Sequence, residues 1–154
     1  MSRHDTVFSL RYATVVLERH GALWGVIGAS CRVASLLAGS AAIAALGAQN
    51  QLVALAFGIV FAFAQAIEYA TYPADKAAAA RVQSRQYARV WAHESEYTDA
   101  DLALAYRKLV VDDDIKVFRI LKDLAYNQVL SEMDCDPAAA CPEGRWHRFV
   151  SLIA

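Results

Sequence analysis

The chain has 154 residues, a formal net charge of −1, 57% hydrophobic residues and 20% charged ones, with a mean hydropathy of +0.26. Its length allows one domain, its near-neutral charge argues against a nucleic-acid module, and its apolar excess over the roughly 45–50% of soluble domains excludes disorder and argues against an ordinary cytosolic domain. Seven Gly, three Pro and three Cys exclude a collagen-like or low-complexity chain and a disulfide scaffold.

Residues 5–30 have helical spacing: Phe8, Tyr12, Val15 and Val16 recur with Arg11, Glu18 and Arg19 between or beside them. Residues 1–31 are therefore expected to form an N-terminal amphipathic helix leading into a membrane. The 35 residues from 33 to 67 carry no Asp, Glu, Lys, Arg or His, well beyond the 18 or so that flag a span. One helix of that length would reach roughly 52 Å, against a hydrocarbon core of about 30 Å. The only strongly polar cluster lies in the middle, Gly47-Ala48-Gln49-Asn50-Gln51, with a helix-ending glycine in front of it. A tight turn there gives two spans, a transmembrane helical hairpin over residues 32–72.

The strictly uncharged arms, 33–46 and 52–67, hold 14 and 16 residues, short of the roughly 20 that a perpendicular span needs. The flanks supply the rest. The first span begins near Leu23 if Arg32 snorkels or faces a polar interior, with Trp24 at the interface. The second runs through Glu68 to Tyr72, with Tyr69 and Tyr72 at headgroup level, and Pro73 marks its exit. Arg3, Arg11, Arg19 and Arg32 lie on the N-terminal side of the uncharged run, Lys76, Arg81, Arg85 and Arg89 follow the second span, and the turn has no Lys or Arg, so both termini are expected in the cytoplasm. Two alternatives compete. A secretory signal is disfavoured by the 32 residues before the run and the second apolar segment after it. A buried hairpin in a soluble bundle suits arms of this length, but the surrounding chain is small for covering two helices on every side.

After Pro73, residues 74–96 hold strong helix formers with no internal Gly or Pro. Thr98-Asp99-Ala100-Asp101 resembles a capping box with Asp in place of Glu. From there Leu102, Tyr106, Leu109, Val110, Ile115, Phe118, Leu121, Leu124, Ala125, Val129 and Met133 keep the 3.6 period, with Asp112-Asp113-Asp114 placed to bend or break the helix. Folded back through the 95–98 connection, residues 73–133 form a cytoplasmic helical pair, packed on itself or on another subunit. Residues 134–154 read as a loop at Pro137, Pro142 and Gly144, followed by a short amphipathic tail: Trp146, Phe149, Val150, Leu152 and Ile153 alternate with Arg145, His147 and Arg148. The tail suits either a membrane surface or the chain's own helices. Cys135 and Cys141 are expected as reduced thiols, two cysteines being too few for a zinc site. Nothing reads as a strand, so the fold class is all-α.

No enzyme constellation stands out, and no catalytic residue, cofactor or metal is expected. His93 with Glu94 and Glu96 is the nearest approach to a metal or acid–base site. Ala54, Gly58, Ala62 and Ala66 recur every fourth residue on the second span, and Ala34, Ala38 and Ala42, with Ser35 and Gly39 beside them, do so on the first. Small residues at this spacing let helices approach closely in lipid, within a hairpin or between subunits. The other side of the second span carries Phe57, Phe61, Gln65 and Glu68. Polar groups at that depth are costly without a partner or water, so Gln65, Glu68 and Arg32 are candidates either for lining a pore mouth or for an Arg32–Glu68 salt bridge. Arg81, Arg85, Arg89 and His93 form a juxtamembrane basic stripe that suits anionic lipid, a phosphate-bearing ligand or pairing with Asp112 to Asp114.

The leading helix, the uncharged short-looped hairpin, Lys76 with Arg85-Gln86-Tyr87, then Leu102, Tyr106 and Ala125-Tyr126-Asn127 resemble the SLATT family over residues 5–133. These are two-transmembrane proteins associated with bacterial nucleotide-second-messenger defence systems. The resemblance implies a homo-oligomeric pore or channel-like effector of the bacterial inner membrane, serving anti-phage defence or abortive infection. It would be without enzymatic activity, gated through its cytoplasmic helices, and triggered by a sensor protein or cyclic nucleotide. The chain departs from multi-domain members in lacking an attached sensor, and residues 135–154 have no counterpart. Two other functions fit the same residues: a membrane-anchored scaffold recruiting a cytosolic partner, and a holin-like phage membrane protein. No nucleic-acid partner is expected.

Overall fold

The computed structural model describes residues 2–142 and 144–153; Met1, Glu143 and Ala154, which fall within the terminal segments assigned above, lie outside the described residues. Helix makes up 83% of the structure, and there is no strand among the described residues. The α-helices among them are α1 Arg3–Gly47, α2 Gln51–Thr71, α3 Pro73–Ala92, α4 Asp99–Val111, α5 Arg119–Glu132 and α6 Arg145–Ser151.

Each helix begins and ends for a local reason. At the start of α1, Ser2 and Asp5 cap each other: the Asp5 N–H donates to Ser2 Oγ at 3.1 Å, and the Ser2 N–H donates to Asp5 Oδ2 at 2.9 Å. The bond from the Ser2 backbone N–H first, and then the Ser2 hydroxyl beside it, hold the Asp5 carboxyl below its ordinary value. No proline interrupts the 45 residues that follow. The turn after α1 places its left-handed residue at Gln49 (φ 58°) and not at Gly47, while the Asn50 N–H reaches back to the Ala45 carbonyl at 2.9 Å. Asn50 then caps α2, its side chain accepting from the Val53 N–H at 3.3 Å. A side chain in the left-handed region costs roughly 1 kcal/mol, and glycine removes that cost. Gln49→Gly is therefore expected to raise the hairpin's stability by up to about 1 kcal/mol, read as a small upward shift of the thermal midpoint in detergent.

Tyr72 (φ 45°, ψ 55°) is the left-handed cap of α2, and Pro73 opens α3 at the one position where its missing N–H has no intrahelical acceptor. Thr98 caps α4, accepting from the Asp101 N–H at 3.2 Å and donating to Asp101 Oδ2 at 2.7 Å. The three consecutive aspartates end α4: Asp113 Oδ1 turns back to accept from the Ile115 N–H at 3.1 Å, and helix resumes only at Arg119.

The chain divides into two compact units, residues 24–76 and residues 1–23 with 77–154. The first is the hairpin of α2 with the second half of α1. The second is a helical body built around the first half of α1. There Leu10 and Leu17 pack with Tyr87 of α3 and Leu102 of α4, while Val15 and Val16 pack with Ala125 and Val129 of α5. Segments 1–31 and 73–133, separate in the sequence reading, both contribute to this core. Each fully buried Leu or Val in it contributes about 1.5–3 kcal/mol of transfer free energy.

Polar clasps reinforce the body. Arg3 donates to the Tyr97 carbonyl at 3.1 Å, to the Glu94 carbonyl at 2.6 Å and to Asp99 Oδ1 at 2.8 Å, gripping the connection between α3 and α4. Arg11 bonds Glu132 at 2.7 Å while its guanidinium lies 4.8 Å over the Trp91 ring, and the bond holds the Glu132 carboxyl below its ordinary range. Arg19 donates twice to Gln128 Oε1, at 3.2 and 2.8 Å. In the tail, Asn127 exchanges two hydrogen bonds with the Cys141 backbone, at 2.9 and 2.7 Å, and all three cysteines are free.

Candidate functional site

The hairpin's seam carries its polar chemistry. Five pairs along it have residue numbers that add to 100 or 101, the signature of two antiparallel helices mirrored about the turn at Asn50. Lys76 Nζ lies 4.2 Å from the centroid of the Trp24 ring. A side chain at Gly28 would meet Pro73 Cγ at 3.2 Å, so the glycine admits the proline. Arg32 Nε approaches Glu68 Oε1 at 3.6 Å and also donates to the Gly28 carbonyl at 3.3 Å. Gln65 Nε2 donates to Ser35 Oγ at 2.8 Å. Phe61 packs where Gly39 has no side chain, 3.4 Å from the position a Cβ would take. Aromatic bulk facing glycine and polar facing polar is how apolar helices fix one register.

The three polar candidates are thus drawn to this seam, Arg32 against Glu68 and Gln65 against Ser35. The small-residue stripe divides. Ala54 is buried, Gly58 is half-buried, and Ala62 and Ala66 are exposed. A side chain added at Gly58 would meet nothing within 4 Å. Beside it runs a shallow groove of about 530 Å³, lined by Ala42, Leu46, Ala54, Leu55, Ile59 and Ala62 among others. On the first arm, Ser35 and Ala38 are buried and Gly39 is half-buried.

Around this seam the hairpin presents apolar side chains to its surroundings, among them Leu36, Leu37, Ile43, Leu52, Leu55 and Phe63. Two helices are long and apolar enough to cross a membrane; the apolar window of the first is 22% buried, and that of the second, running on from α2, 11%. At 1.5 Å per residue the 21 residues of α2 extend about 31 Å, close to the thickness of a hydrocarbon core.

The basic stripe lies in the helical body. Arg81, Arg85, Arg89 and His93 are all exposed. No ion pair joins the three arginines to a carboxylate among the described residues, so the structure does not bring them to Asp112, Asp113 and Asp114 within one chain. Asp113 instead accepts from the Tyr87 hydroxyl at 3.2 Å. His93 Nδ1 bonds the Arg89 carbonyl at 2.9 Å. Among the described residues no three His, Cys, Asp or Glu side chains gather closely enough to hold a metal ion.

Of the five seam pairs, sequence reasoning anticipated Arg32–Glu68 and missed the other four: Trp24–Lys76, Gly28–Pro73, Ser35–Gln65 and Gly39–Phe61. All four were in reach once the turn was placed at Asn50, because each is a mirror pair about it. Comparison with protein-family models, with curated proteins and with solved structures returns no match.

Proposed function

We propose that this chain is an integral membrane protein whose hairpin crosses a bacterial inner membrane twice, with both termini in the cytoplasm. In this reading its copies assemble into a pore- or channel-like effector without enzymatic activity, gated through the helical body. The observation that carries it is the hairpin's apolar surface, which the chain itself leaves largely uncovered. Lipid is the solvent that such a surface matches, and neighbouring hairpins can share it. The open groove beside Gly58 supports the second step, since a backbone without side chain or neighbour offers a close approach to another helix. The resemblance to SLATT proteins supplies the biological setting, anti-phage defence triggered by a sensor protein or a cyclic nucleotide.

A second reading is favoured by one observation. Arg32 with Glu68 and Ser35 with Gln65 satisfy each other inside a single hairpin, which suits an anchor for a scaffold as well as a closed channel. Two experiments separate them. Purified oligomer in planar bilayers, supplied with candidate cyclic nucleotides, is expected to show discrete conductance steps. Exchange of residues 24–76 for an unrelated two-span hairpin is expected to abolish both conductance and cell toxicity. Function that survives the exchange, without conductance, would establish the scaffold and reject the pore.

A further inference from the structure

The short helix α6 has two faces of opposite character. His147, Val150 and Ile153 are partly buried, and His147 fixes that side: Nε2 lies 3.6 Å from Asp123 Oδ2 of α5, and Nδ1 accepts from the Gly144 N–H at 3.1 Å. The other face carries Trp146, Phe149 and, at the C-cap, Leu152, exposed to 71%, 56% and 85%. The two rings meet edge to face at 6.3 Å, so they form one apolar ledge. Arg145 and Arg148 are exposed alongside it, and residues 144–153 contain no carboxylate side chain.

We propose that α6 is a membrane-surface docking element: Trp146, Phe149 and Leu152 insert at the level of the headgroups, and Arg145 and Arg148 bind lipid phosphates. A tryptophan-bearing apolar face on a helix with two exposed arginines and no carboxylate of its own is complementary to an anionic bilayer surface. A protein groove of the same shape would need its own acidic rim. Three side chains are too few to hold a protein on a membrane alone, so docking rests on the hairpin reading, in which the inserted hairpin supplies the tether.

The test uses full-length protein in phosphatidylcholine–phosphatidylglycerol vesicles, with plain or brominated acyl chains. The difference in emission between the native chain and Trp146→Phe isolates Trp146 from Trp24 and Trp91. Brominated lipid is expected to remove most of the Trp146 emission, and Arg145→Glu with Arg148→Glu is expected to restore much of it. Trp146 emission that is unaffected by brominated lipid while carbonate washing leaves the protein in the membrane would overturn the docking and spare the hairpin reading. Protection from both brominated lipid and aqueous acrylamide, lost on dilution into excess lipid, would replace the bilayer with a second copy of the chain. Release by carbonate with Trp146 still quenched would overturn the hairpin reading and leave α6 as the membrane contact; release without quenching would overturn both.

Discussion

Exchanging Glu68 for Lys is expected to weaken the hairpin at the end remote from its turn. Arg32 and Glu68 approach to 3.6 Å, with 60% and 29% of their side chains exposed to whatever surrounds the hairpin. In water that exposure would leave the pair worth little. If the hairpin spans a membrane, the pair sits near the end of a span, where an unpaired charge costs less than the about 2.5–3.5 kcal/mol of the centre but more than in bulk water. The substitution removes the counter-charge and sets a second cation beside Arg32. The hairpin is expected to lose about 1–2 kcal/mol, at roughly 2–4 °C of thermal midpoint per kcal/mol for a chain of this size, read in detergent or nanodisc. Arg32→Glu with Glu68→Arg is expected to recover most of the loss. A double variant no better than the worse single one would mean that the pair is not coupled, and the seam would then rest on Ser35–Gln65 and Gly28–Pro73.

The hairpin was legible because charge is absent from 33–67 and the only amide cluster sits in its middle. With the turn located, antiparallel geometry pairs Arg32 with Glu68 at once. The limit of the small-residue pattern has a geometric cause. A strict four-residue repeat advances about 40° per step around a helix of 3.6 residues per turn, so from Ala54 to Ala66 it turns roughly 120°. The stripe starts in the seam at Ala54 and leaves it, while the seam steps through Phe61, Gln65 and Glu68 by fours and threes. The basic stripe from Arg81 to His93 drifts in the same way.

The helical body was legible in its faces and not in its partners. Spacing marked Val15 and Val16 as one apolar side of the first helix, but periodicity carries no information on which helix covers it, and the cover is Ala125 and Val129 of α5. In the sequence, Arg3, Arg11 and Arg19 read as charges that orient a membrane protein, and Arg11 and Arg19 also as polar positions of the first helix. The structure also spends them on Asp99, Glu132 and Gln128, contacts about one hundred residues away in sequence that no local pattern reveals.

Tyr87 is the largest fully buried side chain among the described residues. It lies among Leu10, Leu17 and Leu102, and its hydroxyl donates to Asp113 Oδ2 at 3.2 Å. Tyr87→Ala empties a ring-sized space at this junction and is expected to cost about 3–5 kcal/mol, by analogy with buried aromatic truncations. Tyr87→Phe keeps the ring and loses one hydrogen bond, at about 1 kcal/mol. The two variants also separate packing from ionisation. Burial first, and then the Asp113 carboxylate and the bond to it, push the phenol well above its ordinary value of 10.0. The folded state thus favours the protonated form: the associated stability is intact below pH 10 and is lost as pH rises above that value. Tyr12, whose phenol is also raised by burial, keeps its share in every variant. Tyr87→Phe is therefore expected to begin less stable at neutral pH but to lose less between neutral and strongly alkaline pH, read from helix melting in detergent. Identical alkaline slopes in the native and Phe chains would show that Tyr87 meets water in the folded body, and the packing of α3 against α1 and α4 would then be looser than Leu10, Leu17 and Leu102 require.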